Sequence, residues 1–171
     1  ALYSPNLGYC SGTTNKLGDT GDFTTAPEIS PLFGATLCRT IKAIYEGSEL
    51  PAKPIQILEF GAGTGKLAAS ILDELNRLDI SVGSYQILDL SADLIDRQKQ
   101  TLANHDERIE WLTQLPQNFR GIFLANEVLD AMPVDLITKH QDAWHYKNVT
   151  LDPTGRLALS IGDLVPHDYI P

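Results

Sequence analysis

Apolar residues recur along this chain with two different periods. Between Ile55 and Ala125, short aliphatic runs alternate with stretches whose apolar residues return every three or four positions, the spacing of one helix face. Ile55-Gln56-Ile57-Leu58 reads as a strand closed by Glu59 and a glycine turn. Lys66 to Leu78 follows as a helix with Leu67, Ala68, Ile71, Leu72, Leu75 and Leu78 on one side. Tyr85 to Leu88 is a second strand, ended by Asp89. Ser91 then caps a helix carrying Leu94, Ile95 and Leu102, with Asp93 in the first turn, where the helix dipole favours an anion. Ile109 to Leu112 and Gly121 to Ala125 read as a third and a fourth strand. Upstream, Ser30 as N-cap, Pro31 at the first helical position and Gly47 just past the end delimit another helix. Its expected core face is Leu32, Phe33, Leu37, Ile41, Ile44 and Tyr45. After Pro133 the period becomes two. Asp135 to Lys139, Ala143 to Leu151 and Arg156 to Ser160 read as strands, with Asp152-Pro153-Thr154-Gly155 turning between the last two.

Repeated strand–helix units imply an α/β fold, a parallel sheet flanked by helices that binds ligands at the carboxyl ends of its strands. The β-meander that follows reads as an insertion on that core. Three segments result: residues 1–29, rich in Gly, Thr, Asn and Pro, as a loop or lid; 30–134 as the α/β core; 135–171 as the meander. Composition narrows the function. With 22 acidic and 13 basic residues the formal charge is −9, a poor match for nucleic acid and a better one for a basic protein segment. No apolar run approaches the roughly 20 residues of a membrane span, and Ala1 to Cys10 do not form a signal peptide. Only Cys10 and Cys38 carry thiols, so a reducing setting is expected, cytoplasmic or organellar. His105, His140, His145 and His167 have no partners at metal-ligand spacing, so no metal site is expected. A G-x-S-x-G elbow is absent, which leaves a hydrolase nucleophile without support.

The chemistry concentrates in Glu59-Phe60-Gly61-Ala62-Gly63-Thr64-Gly65, set between a strand and a helix. A phosphate-binding P-loop needs G-x-x-x-x-G-K-[ST]; here the glycines are one residue too close and Leu67 stands where the hydroxyl belongs. A dinucleotide fingerprint needs a third glycine where Lys66 lies. What remains is an acidic residue, a spacer and G-x-G-x-G, a pattern typical of S-adenosylmethionine (SAM) methyltransferases. That ligand carries no phosphate, and glycines let the backbone approach it closely. Glu59 is expected near its α-ammonium group, through water, and Asp89 at the ribose hydroxyls. A tight strand–helix turn with no ligand is the structural alternative for the glycines.

Further motifs accompany this turn: Gly21-Asp22-Phe23-Thr24-Thr25-Ala26-Pro27-Glu28-Ile29-Ser30, Ser91-Ala92-Asp93-Leu94 with Arg97-Gln98, and Asn126-Glu127-Val128-Leu129-Asp130-Ala131-Met132-Pro133. Together they resemble the MidA family of class I SAM-dependent methyltransferases, over almost the whole chain. Asp89-Leu90 departs from the Glu-Pro usual there, and Cys10 from an aromatic. The resemblance implies a Rossmann-like SAM-methyltransferase sheet whose later strands this chain lacks, and a cofactor set of Glu59, Gly61, Ala62, Gly63, Gly65, Asp89, Leu90 and Asn126. Its mitochondrial members dimethylate an arginine on a subunit of complex I and serve that complex's assembly. It therefore implies a protein substrate with an arginine-containing segment, and the mitochondrial matrix as location if the source is eukaryotic.

Methylating an arginine brings two cations together, since the guanidinium stays charged and SAM is a sulfonium. Carboxylates that grip the guanidinium fork, align one nitrogen and accept its proton are required. Glu127 and Asp130, spaced i, i+3 after the fourth strand, are the candidates for catalysis, expected on one side of a helical turn. Helix-end decoration behind an Asn126 cap is the alternative. Asp22 and Glu28 are candidate substrate or lid residues; a capping box from Thr25 to Glu28 competes for the latter. Trp111 and Tyr85 read as strand core, and Lys66 as the solvent side of its helix. A different class of function, an assembly chaperone keeping the SAM fold without turnover, remains open at this point, and a Rossmann-type nucleotide binder is disfavoured by the glycine spacing.

Overall fold

Isoleucines, leucines and tyrosine of two adjacent strands pack under one amphipathic helix, and the remaining elements assemble around that contact. The computed structural model describes residues 24–47, 54–105 and 108–169. They divide into two units, one running to Ala131 and the other starting at Met132.

In the first unit, β1 (Ile55–Phe60), β2 (Val82–Leu88), β3 (Ile109–Leu112) and β4 (Ile122–Ala125) form a parallel sheet in the order β3-β2-β1-β4. Ile57 pairs with Tyr85 on one side and Ile122 on the other. After β3 the chain crosses back to lay β4 beside β1. The strand order therefore reverses at β1, and such a switch point is where open α/β sheets bind ligands. Helix α3 (Lys66–Arg77) buries Leu67, Ala68, Ile71 and Leu75 against Ile57, Tyr85 and Ile87. These residues recur at helical spacing, so one stripe supplies the core. Ser91 caps α4 (Ala92–Thr101) by accepting from the Leu94 amide, as expected.

Helix α2 (Leu32–Glu46) keeps its expected place and most of its expected face, with Ile41 buried and Phe33, Leu37 and Tyr45 packed against the core. Gly34, Cys38 and Ile41 are buried, whereas Leu32 is 73% and Ile44 53% exposed. The cause is Gly34: a Cβ there would lie 2.5 Å from the Ser70 Cβ of α3, so the two helices meet along the line of position 34 and turn Leu32 and Ile44 aside. Ser30 still caps the entry, its hydroxyl accepting from the Leu32 amide at 3.2 Å. A short helix, α1 (Ala26–Ile29), precedes it inside what composition marked as loop. β1 runs on through Glu59 and Phe60, which pair with Ile87 and Leu88, and β2 starts three residues early, at Val82, which pairs with Ile55 ahead of a Gly-Ser stretch that breaks the apolar pattern. β4 begins after Gly121, where a Cβ would meet the Gln56 carbonyl.

The second unit is an antiparallel sheet of β5 (Ile137–His140), β6 (Ala143–Leu151) and β7 (Leu157–Leu164). β5 starts two residues later than expected, and β7 runs four residues further, its end pairing Leu164 with His145. The Asp152 carboxylate holds the β6–β7 turn, accepting from the Thr154 and Arg156 amides at 2.8 and 3.0 Å.

Candidate functional site

The glycine turn leaves β1 at the switch point. Gly61, Gly63 and Gly65 all have positive φ, at +58°, +56° and +86°, a conformation that costs an L-residue about 1–2 kcal/mol. Substitution at Gly65 is disfavoured twice over, since a Cβ there would also come within 3.2 Å of the Gln98 Cα of α4, a tight contact. The Gly61 amide donates to the Leu88 carbonyl at 2.9 Å, so the turn stays tied to the end of β2.

Beside this turn a cleft of about 100 Å³ is lined by Thr25, Pro27, Glu28, Glu59, Gly61, Ala62, Gly63, Thr64, Lys66, Leu67, Asn126 and Glu127. Three carboxylates thus face it against one lysine. Glu59 lies deepest, 2% exposed, and Tyr85 donates its hydroxyl to Glu59 Oε2 at 2.7 Å. Burial pushes the Glu59 carboxyl up to about 7 and the neighbouring Asp89 charge adds to this, while the Tyr85 bond pulls the other way. Burial and the facing Glu59 raise the Tyr85 phenol well above its ordinary value, so it stays a donor. Tyr85 is core, as expected, and it is also the partner that holds Glu59.

Glu28 reaches the cleft from α1. Its Oε1 accepts from the Thr64 hydroxyl of the glycine turn, and Oε2 lies 2.7 Å from Lys66 Nζ. The side chain of Glu28 is almost wholly buried by these partners. The capping-box alternative fails, because Thr25 makes no side-chain cap bond and the Glu28 carboxylate points to the turn instead. Lys66 is half-exposed, in keeping with its expected solvent side, yet its ammonium is engaged by Glu28.

Asp89 ends β2 with both oxygens in use. Oδ1 accepts from the Ser91 amide at 3.0 Å and Oδ2 from Gln98 Nε2 at 2.7 Å. Leu90 beside it is 91% exposed. Asn126 and Glu127 follow β4 into the cleft, with Glu127 at φ +55°, a strained position for this residue type. That conformation breaks the helical turn expected to join Glu127 to Asp130. Asp130 instead sits in a separate 3-10 turn, Leu129–Ala131, and is absent from the cleft lining. Asp22 and Cys10 lie outside the described residues. Sequence reading missed three participants: Thr64, Lys66 as the counter-ion of Glu28, and Gln98, which was visible only as part of a motif.

A cradle of glycines, acidic walls and no ring of cations suit a cationic ligand without phosphates. Among the described residues no group of His, Cys, Asp and Glu is placed to hold a metal, and no helix is long and apolar enough to cross a membrane. A family model described as S-adenosyl-L-methionine-dependent methyltransferase matches residues 36–169. The mitochondrial protein arginine methyltransferase NDUFAF7 of Xenopus laevis is 29% identical over 181 residues, covering 89% of this chain and 40% of its own length. The Homo sapiens NDUFAF7 is 29% identical with the same coverage of each. A crystal structure of a superfamily member from Burkholderia thailandensis with S-adenosyl-homocysteine bound is 40% identical, at a TM-score of 0.79, over 98% of this chain and 44% of that one. The chain therefore spans about two-fifths of the length of such relatives. By the match over residues 36–169, with the glycine turn of β1 inside it, the chain belongs to the MidA family of S-adenosyl-L-methionine-dependent methyltransferases.

Proposed function

We propose that this chain is the cofactor-binding part of a protein arginine methyltransferase. The observation that carries the reading is the acidic cleft: Glu28, Glu59 and Glu127 meet beside the glycine turn at the point where strand order reverses. S-adenosyl-L-methionine, when bound, supplies a methyl group on a sulfonium. Gly61, Ala62, Gly63 and Gly65 give its approach a backbone surface free of large side chains. Glu59 offers a carboxyl that ionises when a cation arrives, and Asp89 offers lone pairs for ribose hydroxyls beyond those used by Ser91 and Gln98. Leu90 supplies exposed apolar surface beside Asp89 for the nucleoside, and Asn126 a polar amide at the cleft.

On the substrate side, Glu127 is positioned to grip a guanidinium, orient one nitrogen and take its proton on a carboxylate oxygen. Asp130, in the separate turn after Glu127 and outside the cleft lining, is not assigned to this fork, and Glu28 forms the cleft wall on the α1 side. The relatives' names support a protein substrate, and a mitochondrial location for a eukaryotic source; for a bacterial source the cytoplasm is our reading.

Titration calorimetry with S-adenosyl-homocysteine, followed by incubation with labelled SAM and arginine-containing peptides, tests the reading. The expected result is saturable binding, and label on arginine that Glu127→Gln lowers by about 10²–10⁴-fold with binding retained. A chain that binds no S-adenosyl-homocysteine refutes the cofactor assignment. Binding without transfer by any longer form would favour the non-catalytic chaperone.

A further inference from the structure

Gln98 is an uncharged polar residue with no exposed surface, in the middle of α4. Burying an amide is costly unless each of its groups finds a partner. Here they do. Nε2 donates to Asp89 Oδ2 at 2.7 Å and to the Gly63 carbonyl at 3.1 Å, and Oε1 accepts from Trp111 Nε1 at 3.0 Å. The indole N–H can only donate, while the carboxylate and the carbonyl can only accept. Only one orientation of the amide satisfies all three, and Trp111 anchors its oxygen end while the amino end faces Asp89 and Gly63.

The bonds also span the parts that must be kept in register. Asp89 belongs to the end of β2, Gly63 to the glycine turn after β1, and Trp111 to β3. The backbone of α4 at Gln98 packs closely on Gly65, where a Cβ would come within 3.2 Å of the Gln98 Cα. The geometry points to Gln98, oriented by Trp111, as the positioning residue that aims the Asp89 carboxylate at the ribose hydroxyls and fixes its distance from the glycine turn. This rests on the cofactor reading above. Gln98 touches no ligand atom; it acts through Asp89 and Gly63.

The choice of an amide matters. A lysine or arginine at position 98 would hold Asp89 as firmly but would cancel its charge. A carboxylate would repel Asp89 and the Gly63 carbonyl together. An amide holds the acid and leaves its charge for the ligand.

The test compares two ligands on one chain: S-adenosyl-homocysteine and its 2′-deoxy analogue, with affinities measured by calorimetry for the wild type, Trp111→Phe and Gln98→Met, and melting temperatures recorded alongside. The wild type should prefer the hydroxylated ligand by about tenfold, the value of one well-made bond to a charged group. Both variants should weaken S-adenosyl-homocysteine binding and shrink that preference to about twofold or less, because Asp89 is no longer aimed. Trp111→Phe retains a ring in the strand, so it tests the orientation even where Gln98→Met folds poorly. Variants that lose affinity for both ligands equally and keep the wild-type preference would show a merely structural role and overturn the assignment. So would a wild type that binds S-adenosyl-homocysteine with no preference for the hydroxyl. A wild type that binds neither ligand would instead refute the cofactor reading, and the assignment would fall with it.

Discussion

Stability should fall as pH rises through the range of Glu59, and Glu59→Gln should remove that fall. In the unfolded chain this carboxyl loses its proton near 4.5; in the folded one, buried beside Asp89, it holds the proton to about 7. Between those values the folded state binds a proton that the unfolded state has released. Raising the pH therefore draws the equilibrium toward unfolding. The gap of about 2.5 pH units, at about 1.4 kcal/mol per unit, gives a loss of about 3 kcal/mol, complete once the pH passes 7. Solvent screening does not reduce it, since the group is 2% exposed.

Urea denaturation of the wild type and Glu59→Gln at several pH values from 4.5 to 8 measures the difference. The glutamine keeps an acceptor for the Tyr85 hydroxyl and cannot ionise. The wild type should lose about 3 kcal/mol relative to the variant across that range and then run parallel to it. Curves that stay parallel from the acid end would mean that Glu59 is ionised throughout in the folded chain. A linked effect follows in ligand binding. A cation placed beside Glu59 favours the charged form, so S-adenosyl-homocysteine should bind with release of up to one proton near pH 7, visible as buffer-dependent heats.

Gly65→Ala should lower stability by about 1–3 kcal/mol, from the positive φ and the approach of the Gln98 backbone; an unchanged melting temperature would contradict the packing of α4 on the turn. Glu28→Gln removes the charge that holds Lys66, so the amides of Glu28 and Ser30, bonded within α1, should exchange faster with deuterium; wild-type exchange rates would show that α1 is held by something else. Glu127→Gly should leave stability unchanged or raise it by up to about 1 kcal/mol, since relief of the left-handed backbone outweighs the entropy of glycine, while arginine methylation falls; a loss above about 1 kcal/mol would show that the conformation at Glu127 is not strained.

Elements whose two neighbouring faces differ strongly in polarity could be read from sequence alone. Helix α3 combines one apolar stripe with a glycine turn before it, and the β6–β7 turn has Asp, Pro and Gly where a turn needs them. What escaped was set by distant partners. Gln98 appears in the sequence only as part of a motif, and it is buried because Asp89, Gly63 and Trp111 satisfy every polar atom it has. α1 is one turn long, so its propensity is negligible; what marks it out in the fold is the carboxylate of Glu28 docking on Thr64 and Lys66. The positions of Glu59 and Asp89 followed from the strand ends, but the protonation of Glu59 depends on Tyr85 and on burial, neither visible at one position. The pairing of Glu127 with Asp130 assumed helical φ at Glu127, and the left-handed value there undoes it.

The acids around the glycine turn are held mostly by neutral donors. Glu59 is held by a phenol, Asp89 by a backbone amide and a side-chain amide, and Glu28 by a hydroxyl as well as by Lys66. Neutral donors fix geometry without cancelling charge, so the Asp89 carboxylate keeps its own, whereas Glu28 shares its charge with Lys66. The cost of that design is repulsion among carboxylates in a partly dry space. It is limited by letting the most buried one, Glu59, keep its proton to about 7, partly on account of the Asp89 charge. When a cation enters, the same carboxyl ionises and its charge appears where the ligand needs it. The charge of Asp89 and Glu127 would disfavour a pyrophosphate. Charge and glycine spacing thus reject nucleotide phosphates by independent physical routes.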